Sequence, residues 1–334
     1  MTGAATATTM SAVVQDGYGS ADVLRSAEIA LPSVKDDQVL VRVHAAGLDR
    51  GTWHLMTGKP YAVRAVIGLR SPRQPVLGID LAGVVEAVGA KVTRFSPGDE
   101  VYGMGVGSFA EYAVAKEAKL APKPGKLSFE QAAVVPISGG TALQALTDSG
   151  HVEAGQRVLV TGASGGVGSY AVQLAKALGA EVTGVASAAK LDLVRSLGAD
   201  HVLDHAKDDF ADGTREYDLI IDVGGSPSVS RLRRALTRKG TAVIVGGEEG
   251  GNVTGMGRQL RALMTSPFVG QRLTMCVSRE RASDLEQLTT LIEAGKVTPS
   301  IDRTYPLDQA ADAMRHLDAG LVRGKIAITV AASE

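Results

Sequence analysis

The sequence predicts a two-domain α/β protein, a mostly-β first domain followed by a doubly wound parallel sheet, and three observations lead there. The chain's 334 residues exceed what one hydrophobic core usually serves. From about Val158 onward, apolar runs alternate with amphipathic stretches, the rhythm of parallel strands covered by helices. One of those junctions places a strand, a glycine-rich turn and a helix start in immediate succession.

In chain order, the first domain (1–135) carries short β-like runs at Gln38 to His44, Ala82 to Val88 and Phe109 to Ala115. Turn clusters such as Pro97-Gly98-Asp99 and Pro122-Lys123-Pro124-Gly125 separate them. In the second domain (136–277) strands are expected at 158–163, 181–187, 201–205, 218–223, 241–247 and 273–277, with helices between them. The remainder (278–334) reads as helices over Ala282 to Ala294 and Leu307 to Leu317, then a strand over Lys325 to Val330. That last strand is expected to return to the first domain, whose β edges can accept it where a completed parallel sheet cannot.

Composition narrows the function. An apolar share of 45%, 40 glycines and 4% aromatic residues suit an ordered globular protein. The net charge of −1 and the lack of a basic stripe argue against nucleic acid as a partner and for a small molecule. Met1 to Met10 has no basic region ahead of an apolar core, and no apolar run approaches about 18 residues, so a cytoplasmic protein without a membrane partner is expected. Cys276 is the single cysteine, which rules out an intramolecular disulfide and a cysteine-based zinc cluster. Within Leu273-Thr274-Met275-Cys276-Val277 it reads as a small buried hydrophobe.

The glycine turn lies in Val158-Leu159-Val160-Thr161-Gly162-Ala163-Ser164-Gly165-Gly166-Val167-Gly168-Ser169-Tyr170-Ala171. A helix start offers unpaired N–H groups and a partial positive charge, and glycines let a pyrophosphate approach the backbone. Ser164, Gly165, Gly166, Val167 and Gly168 are the candidates for holding it, with Ala163 at the first glycine of G-x-G-x-x-G. The second strand ends Gly184-Val185-Ala186-Ser187-Ala188-Ala189-Lys190. An acid there would accept the ribose hydroxyls of NAD and repel a 2′-phosphate. None is present. Ser187 can donate to such a phosphate and Lys190 can neutralise it, so NADPH is expected in preference to NADH. His205, ending the third strand, is a candidate for flanking the adenosine.

Several segments together resemble the zinc-free quinone oxidoreductase branch of the medium-chain dehydrogenase/reductase superfamily. They are Val39-Leu40-Val41-Arg42-Val43, Pro75-Val76-Leu77-Gly78-Ile79-Asp80-Leu81-Ala82-Gly83-Val84-Val85, Pro97-Gly98-Asp99-Glu100-Val101, the glycine turn, Leu197-Gly198-Ala199-Asp200 and Arg323-Gly324-Lys325-Ile326. The resemblance implies a GroES-like mostly-β catalytic domain, a doubly wound Rossmann NAD(P)-binding domain, and hydride transfer to the β-carbon of a quinone, enone or enal in the cleft between them. Zinc-containing relatives carry ligands where this chain reads Gly47-Leu48-Asp49 and Gly78-Ile79-Asp80, so no metal is expected.

Further roles follow from the resemblance alone. The stretch from Asp49 to Tyr61 looks like the family's Asn-Pro-x-Asp-Trp segment, with Asp49 where asparagine approaches the nicotinamide ribose and Thr52 in place of the usual aspartate. Tyr61, His54 and Thr52 are the candidate catalytic residues; Tyr61 and His54 can donate a hydrogen bond to the substrate oxygen. Thr141 resembles the residue meeting the nicotinamide, Gly246 and Gly247 the turn beneath its ribose, and Phe268 and Val269 the carboxamide support. Arg323 and Lys325 are candidates for reaching the cofactor phosphates. Relatives pair as homodimers through the strand at 273–277. Two other readings stay open, an enoyl reductase of a biosynthetic, polyketide-type pathway and a non-catalytic NADPH-binding protein.

Overall fold

The computed structural model describes residues 8–225, 227–246 and 255–330. Its first unit is β throughout, apart from short helices. β1 (Thr9–Val14) and β2 (Arg25–Ala30) form an antiparallel hairpin. β3 (Gln38–Leu48), β4 (Asp80–Val88), β5 (Glu100–Met104), β6 (Tyr112–Lys116) and β7 (Leu120–Pro122) form the larger sheet. Val39, Val41 and Val43 are buried at alternate positions along β3, the period of a strand with one face on a core. Between β3 and β4 the chain makes α1 (Arg50–Thr57) and α2 (Arg64–Ile67). After β7 come α3 (Phe129–Ala133), opened by a Ser128/Gln131 capping box, and α4 (Pro136–Gln144), opened by its proline.

The second unit runs β8 (Arg157–Thr161), α5 (Gly166–Ala177), β9 (Glu181–Ala186), α6 (Leu191–Ser196), β10 (His201–Asp204), β11 (Tyr217–Asp222), α7 (Val229–Ala235), β12 (Leu236–Ile244), α8 (Gly257–Thr265) and β13 (Arg272–Met275). All six strands are parallel, in the order β10-β9-β8-β11-β12-β13. The order reverses between β8 and β11, and a crevice opens at the strand ends of such a switch point. The chain ends with α9 (Ala282–Glu293), β14 (Ile301–Pro306), α10 (Ala310–Asp318) and β15 (Lys325–Thr329). β15 pairs antiparallel with Ala45–Leu48 of β3, and β14 lies parallel to β15.

Three details depart from the sequence expectation. β14 was not anticipated, because Ile301-Asp302-Arg303-Thr304-Tyr305-Pro306 is polar and proline-ended; it is an edge strand, where both features are tolerated. The run expected from Phe109 begins as a strand only at Tyr112, since Phe109 and Ala110 cross towards β1. Helix α9 belongs to neither sheet alone: Leu285, Leu288 and Ile292 share a core with Val158 and Leu174 and with Tyr102, whose hydroxyl donates to the Leu285 carbonyl at 2.7 Å.

His44 on β3 stacks on Phe129 with ring centroids 4.3 Å apart, and its Nε2 is buried without a partner among the described residues. Burial first, then the charge of Arg42, pulls its pKa below the usual value. A depressed folded pKa means that the unfolded chain takes the proton more readily. This contribution is therefore complete above the unfolded pKa and is lost as pH falls below about 6.5. Urea unfolding between about pH 7.5 and 5.5 is expected to show an acid loss of stability that is shallower in His44→Phe. An equal slope in both proteins would remove His44 from the account.

Candidate active site

The glycine turn joins β8 to α5 at the switch point. Gly162 holds φ +65°, so it makes the left-handed turn, and Ala163 behind it packs at 0% exposure. The alanine in the glycine pattern therefore does not strain the turn. Gly165 is the N-cap of α5 and provides no side chain to its first N–H groups, which leaves those donors for a ligand. Gly168 does something different from its expected role, because it does not border the cleft. A Cβ there would overlap the Gly162 carbonyl oxygen and come within 2.9 Å of Ala163 Cα, so it is the residue that lets α5 close on β8.

The cleft has a volume of about 450 Å³ and is bordered by Ser164, Gly165, Gly166 and Val167. Asp49, His54, Ser138, Thr141, Gly246 and Lys325 share its lining, with Ser138 and Lys325 directly beside Gly166. A Cβ on Gly246 would overlap the Val223 carbonyl, which ties this glycine, just past β12, to the end of β11. Gly247 lies outside the described residues. The C-terminal segment closes the cleft, a contribution that the sequence reading credited only to Arg323 and Lys325. Gly324 N–H donates to the Ser164 carbonyl at 2.8 Å, which stitches the entry of β15 to the glycine turn and carries Lys325 into place.

At the outer end, Lys190 Nζ donates to the carbonyls of Gly320 and Val322, each at 2.9 Å, and burial pulls its pKa down. Two of its three donors are thus engaged. Arg323 donates to the Ala189 carbonyl and pairs with Asp192, both at 2.7 Å. The His205 amide donates to Ala186 at 3.0 Å, placing this exposed histidine beside Ser187. Ser187, Lys190, His205 and Arg323 therefore surround the end of β9, although of the four Lys190 alone borders the cleft.

At the inner end, Asp49 caps α1. Its Oδ1 accepts from the Thr52 amide at 2.8 Å and hydroxyl at 3.2 Å, while Oδ2 is buried without a partner among the described residues. Thr52 is at 0% exposure and spends its hydroxyl on that cap, so a catalytic part for Thr52 is corrected: it shapes α1. His54 Nδ1 lies 2.6 Å from the Lys59 carbonyl, an acceptor, so the ring proton sits on Nδ1. Nε2 then donates only from the imidazolium form. Thr141 Oγ1 donates to Ser278 Oγ at 3.1 Å.

Three expected contributors are elsewhere. Tyr61 is 49% exposed, covered by the Arg64 guanidinium 4.9 Å from its ring centroid, and does not border the cleft. Phe268 is 87% exposed, and Val269 packs on the core beneath β12 and β13. Neither reaches the cleft. Cys276 is partly buried and packs on the core, and burial pushes its thiol up, away from reactivity.

A second cavity of about 340 Å³ shares α1 with the cleft, the helix giving His54 to the cleft and Leu55 to the cavity. Leu55, Val66, Ile67, Val76, Leu77 and Ile79 make its wall apolar. The Lys119–Glu280 ion pair stands at its edge. Among the described residues no cluster of three or more His, Cys, Asp or Glu side chains is arranged to hold a metal ion.

Residues 35–125 match the family model described as alcohol dehydrogenase GroES-like domain, and residues 197–328 match zinc-binding dehydrogenase. The 2-methylene-furan-3-one reductase of Solanum lycopersicum is 36% identical over 326 residues, 93% of this chain and 76% of that protein. The chloroplastic NADPH-dependent alkenal/one oxidoreductase of Arabidopsis thaliana is 36% identical over 334 residues, 96% of this chain and 79% of that protein. The structure of the quinone oxidoreductase from Coxiella burnetii superposes with a TM-score of 0.86 at 28% identity, covering 97% of this chain and all of that one.

Proposed function

Since the chain belongs to the quinone oxidoreductase and alkenal/one oxidoreductase branch of the medium-chain dehydrogenase/reductase superfamily, we propose that it uses NADPH to reduce a quinone or an α,β-unsaturated carbonyl without a metal. One observation carries the substrate class: the apolar cavity shares α1 with the glycine-turn cleft. An uncharged conjugated carbonyl suits these walls, its apolar body against Leu55, Val66, Ile67, Val76, Leu77 and Ile79, with Gln15, Gln74 and Arg73 on the same lining for its oxygen.

The residues fit a nicotinamide dinucleotide. The α5 start is uncapped, and glycine at 165 and 166 leaves the turn open to a pyrophosphate. The unpartnered Asp49 Oδ2 is an acceptor for a ribose hydroxyl. Lys190 keeps one donor for a 2′-phosphate, with Arg323 beside it, which supports NADPH over NADH. When bound, the cofactor supplies the hydride. The protein's own part is to orient the acceptor, keep water out with the apolar wall, and present the His54 ring, fixed by the Lys59 carbonyl, at the cleft where charge develops on the acceptor oxygen. Among the described residues no helix is long and apolar enough to cross a membrane. β13 ends its sheet as an edge strand, which supports a homodimer.

A panel of quinones, enals and enones with NADPH and NADH, followed by loss of nicotinamide absorbance, tests the reading. Oxidation of NADPH by at least one conjugated acceptor, with saturated aldehydes inert, is expected. Turnover of saturated aldehydes alone, or turnover only with added zinc, would overturn it.

A further inference from the structure

Beneath the glycine turn lies a charge pair that hydride transfer does not use. Asp80, fully buried on β4, accepts from the Ile137 amide at 3.1 and 3.3 Å. Lys325 on β15 faces it, with Nζ 3.9 Å from Oδ2, 2% exposed, and donating to Ser138 Oγ at 3.0 Å. Two charges so far from water each need the other, since either one alone is costly to bury. The remaining groups facing Asp80 offer no second cation: Asp49 beyond β3, Glu280 beyond β13, and the phenol of Tyr170 on α5, itself beside Tyr102. Burial first, then the Asp49 charge, holds the Asp80 carboxyl well above the ordinary carboxylate range, while Lys325 draws it back.

Lys325 also borders the cleft. A Cβ on Gly166 would stand 3.1 Å from Lys325 Cδ and 3.2 Å from Ser138 Oγ. The Lys325 side chain therefore passes the uncapped start of α5 with its methylenes beside Gly166, and its ammonium ends between Ser138 and the buried Asp80 carboxylate.

We propose that Lys325 shares its charge between Asp80 and the pyrophosphate of the cofactor, so that dinucleotide binding is coupled to uptake of a proton by Asp80. This inference rests on the reading of the cleft as a nicotinamide dinucleotide site. With the cleft empty, the ammonium balances the Asp80 carboxylate. A pyrophosphate adds negative charge near the same ammonium and leaves Asp80 with less than a full counter-ion. A proton from solvent, forming one O–H bond on the carboxylate, restores the balance with no transfer of electrons. Affinity for the dinucleotide should then fall as pH rises through the window where Asp80 changes charge, by up to about tenfold per pH unit.

Isothermal titration of the full chain near pH 7, in buffers of different ionisation enthalpy, counts the protons exchanged on binding. NADPH is expected to bind with net uptake, and so is ADP-ribose, which has the pyrophosphate but neither nicotinamide nor 2′-phosphate. In Asp80→Asn, NADPH is expected to bind without that uptake. A wild-type infrared difference spectrum, with and without NADPH, should show a new protonated-carboxyl band, and this keeps the test open if the variant does not fold. Binding without proton exchange in the wild type, uptake with NADPH but not ADP-ribose, uptake retained in Asp80→Asn, or a missing carboxyl band would each overturn the coupling. If neither ligand binds, the reading of the cleft fails first and the coupling falls with it.

Discussion

Gly168→Ala is expected to abolish measurable dinucleotide binding and to lower stability by about 3 kcal/mol, the upper part of the range for overpacking. The added Cβ would meet only backbone: the Gly162 carbonyl, with its carbon 2.8 Å away, and Ala163 Cα at 2.9 Å. No side chain can rotate aside. α5 must then move off β8, taking with it the N–H groups of Gly166 and Val167 that the ligand needs. Gly166→Ala is the contrasting case, since its Cβ meets Lys325 Cδ and Ser138 Oγ at 3.1 and 3.2 Å, flexible groups that can yield. That variant should keep its fold and bind more weakly. Urea unfolding and a nicotinamide fluorescence titration measure both effects. A Gly168→Ala protein with unchanged midpoint and affinity would show that the turn is elastic and that the packing role is wrong.

The difference between those glycines bears on what a sequence can reveal. The motif names both, because both sit in one strand-turn-helix junction, but only the three-dimensional neighbours separate the residue that faces the ligand from the one that faces the strand. The six parallel strands were legible because each is an apolar run between turn residues, the central ones β8 and β11 buried on both faces. β14 was not, since Ile301-Asp302-Arg303-Thr304-Tyr305-Pro306 is polar and carries no such run. The site divides in the same way. Ser164, Gly165, Gly166, Val167 and Lys190, read from the strand-turn-helix pattern, border the cleft, and so do Thr141 and Gly246, which the family resemblance alone had pointed to. Tyr61 and Thr52 were assigned from a loop and a helix start, where direction depends on a single turn of backbone. One faces solvent under Arg64, and the other is folded into the Asp49 cap. Gly320, Val322 and Gly324 were given no site role because their approach to the cleft is set by the β15–β3 pairing, a contact across most of the chain, and Ser138 was given none because it lies on α4, for which the sequence showed no helical signal.

Lys190→Ala is expected to weaken NADPH about 10- to 100-fold and NADH less than about twofold, the loss of one charge-assisted contact to phosphate. The structure supplies a rival reason for this lysine that the prediction must survive. Lys190 is the N-cap residue of α6, where a cation is disfavoured by the helix dipole, yet its ammonium reaches Gly320 O just past the end of α10, where a cation is favoured. A lysine kept only to tie down that C-terminal segment would affect both cofactors alike, because the segment also carries Gly324 and Lys325 to the glycine turn. A lysine kept for the 2′-phosphate would affect NADPH alone. Fluorescence titration of Lys190→Ala with the two cofactors therefore decides between them, and Arg323→Ala, whose side chain ties that segment to Ala189 and Asp192 beyond β9, should add a smaller NADPH-specific loss. Equal weakening of NADPH and NADH would assign Lys190 to the architecture of the cleft and withdraw it as the source of cofactor choice.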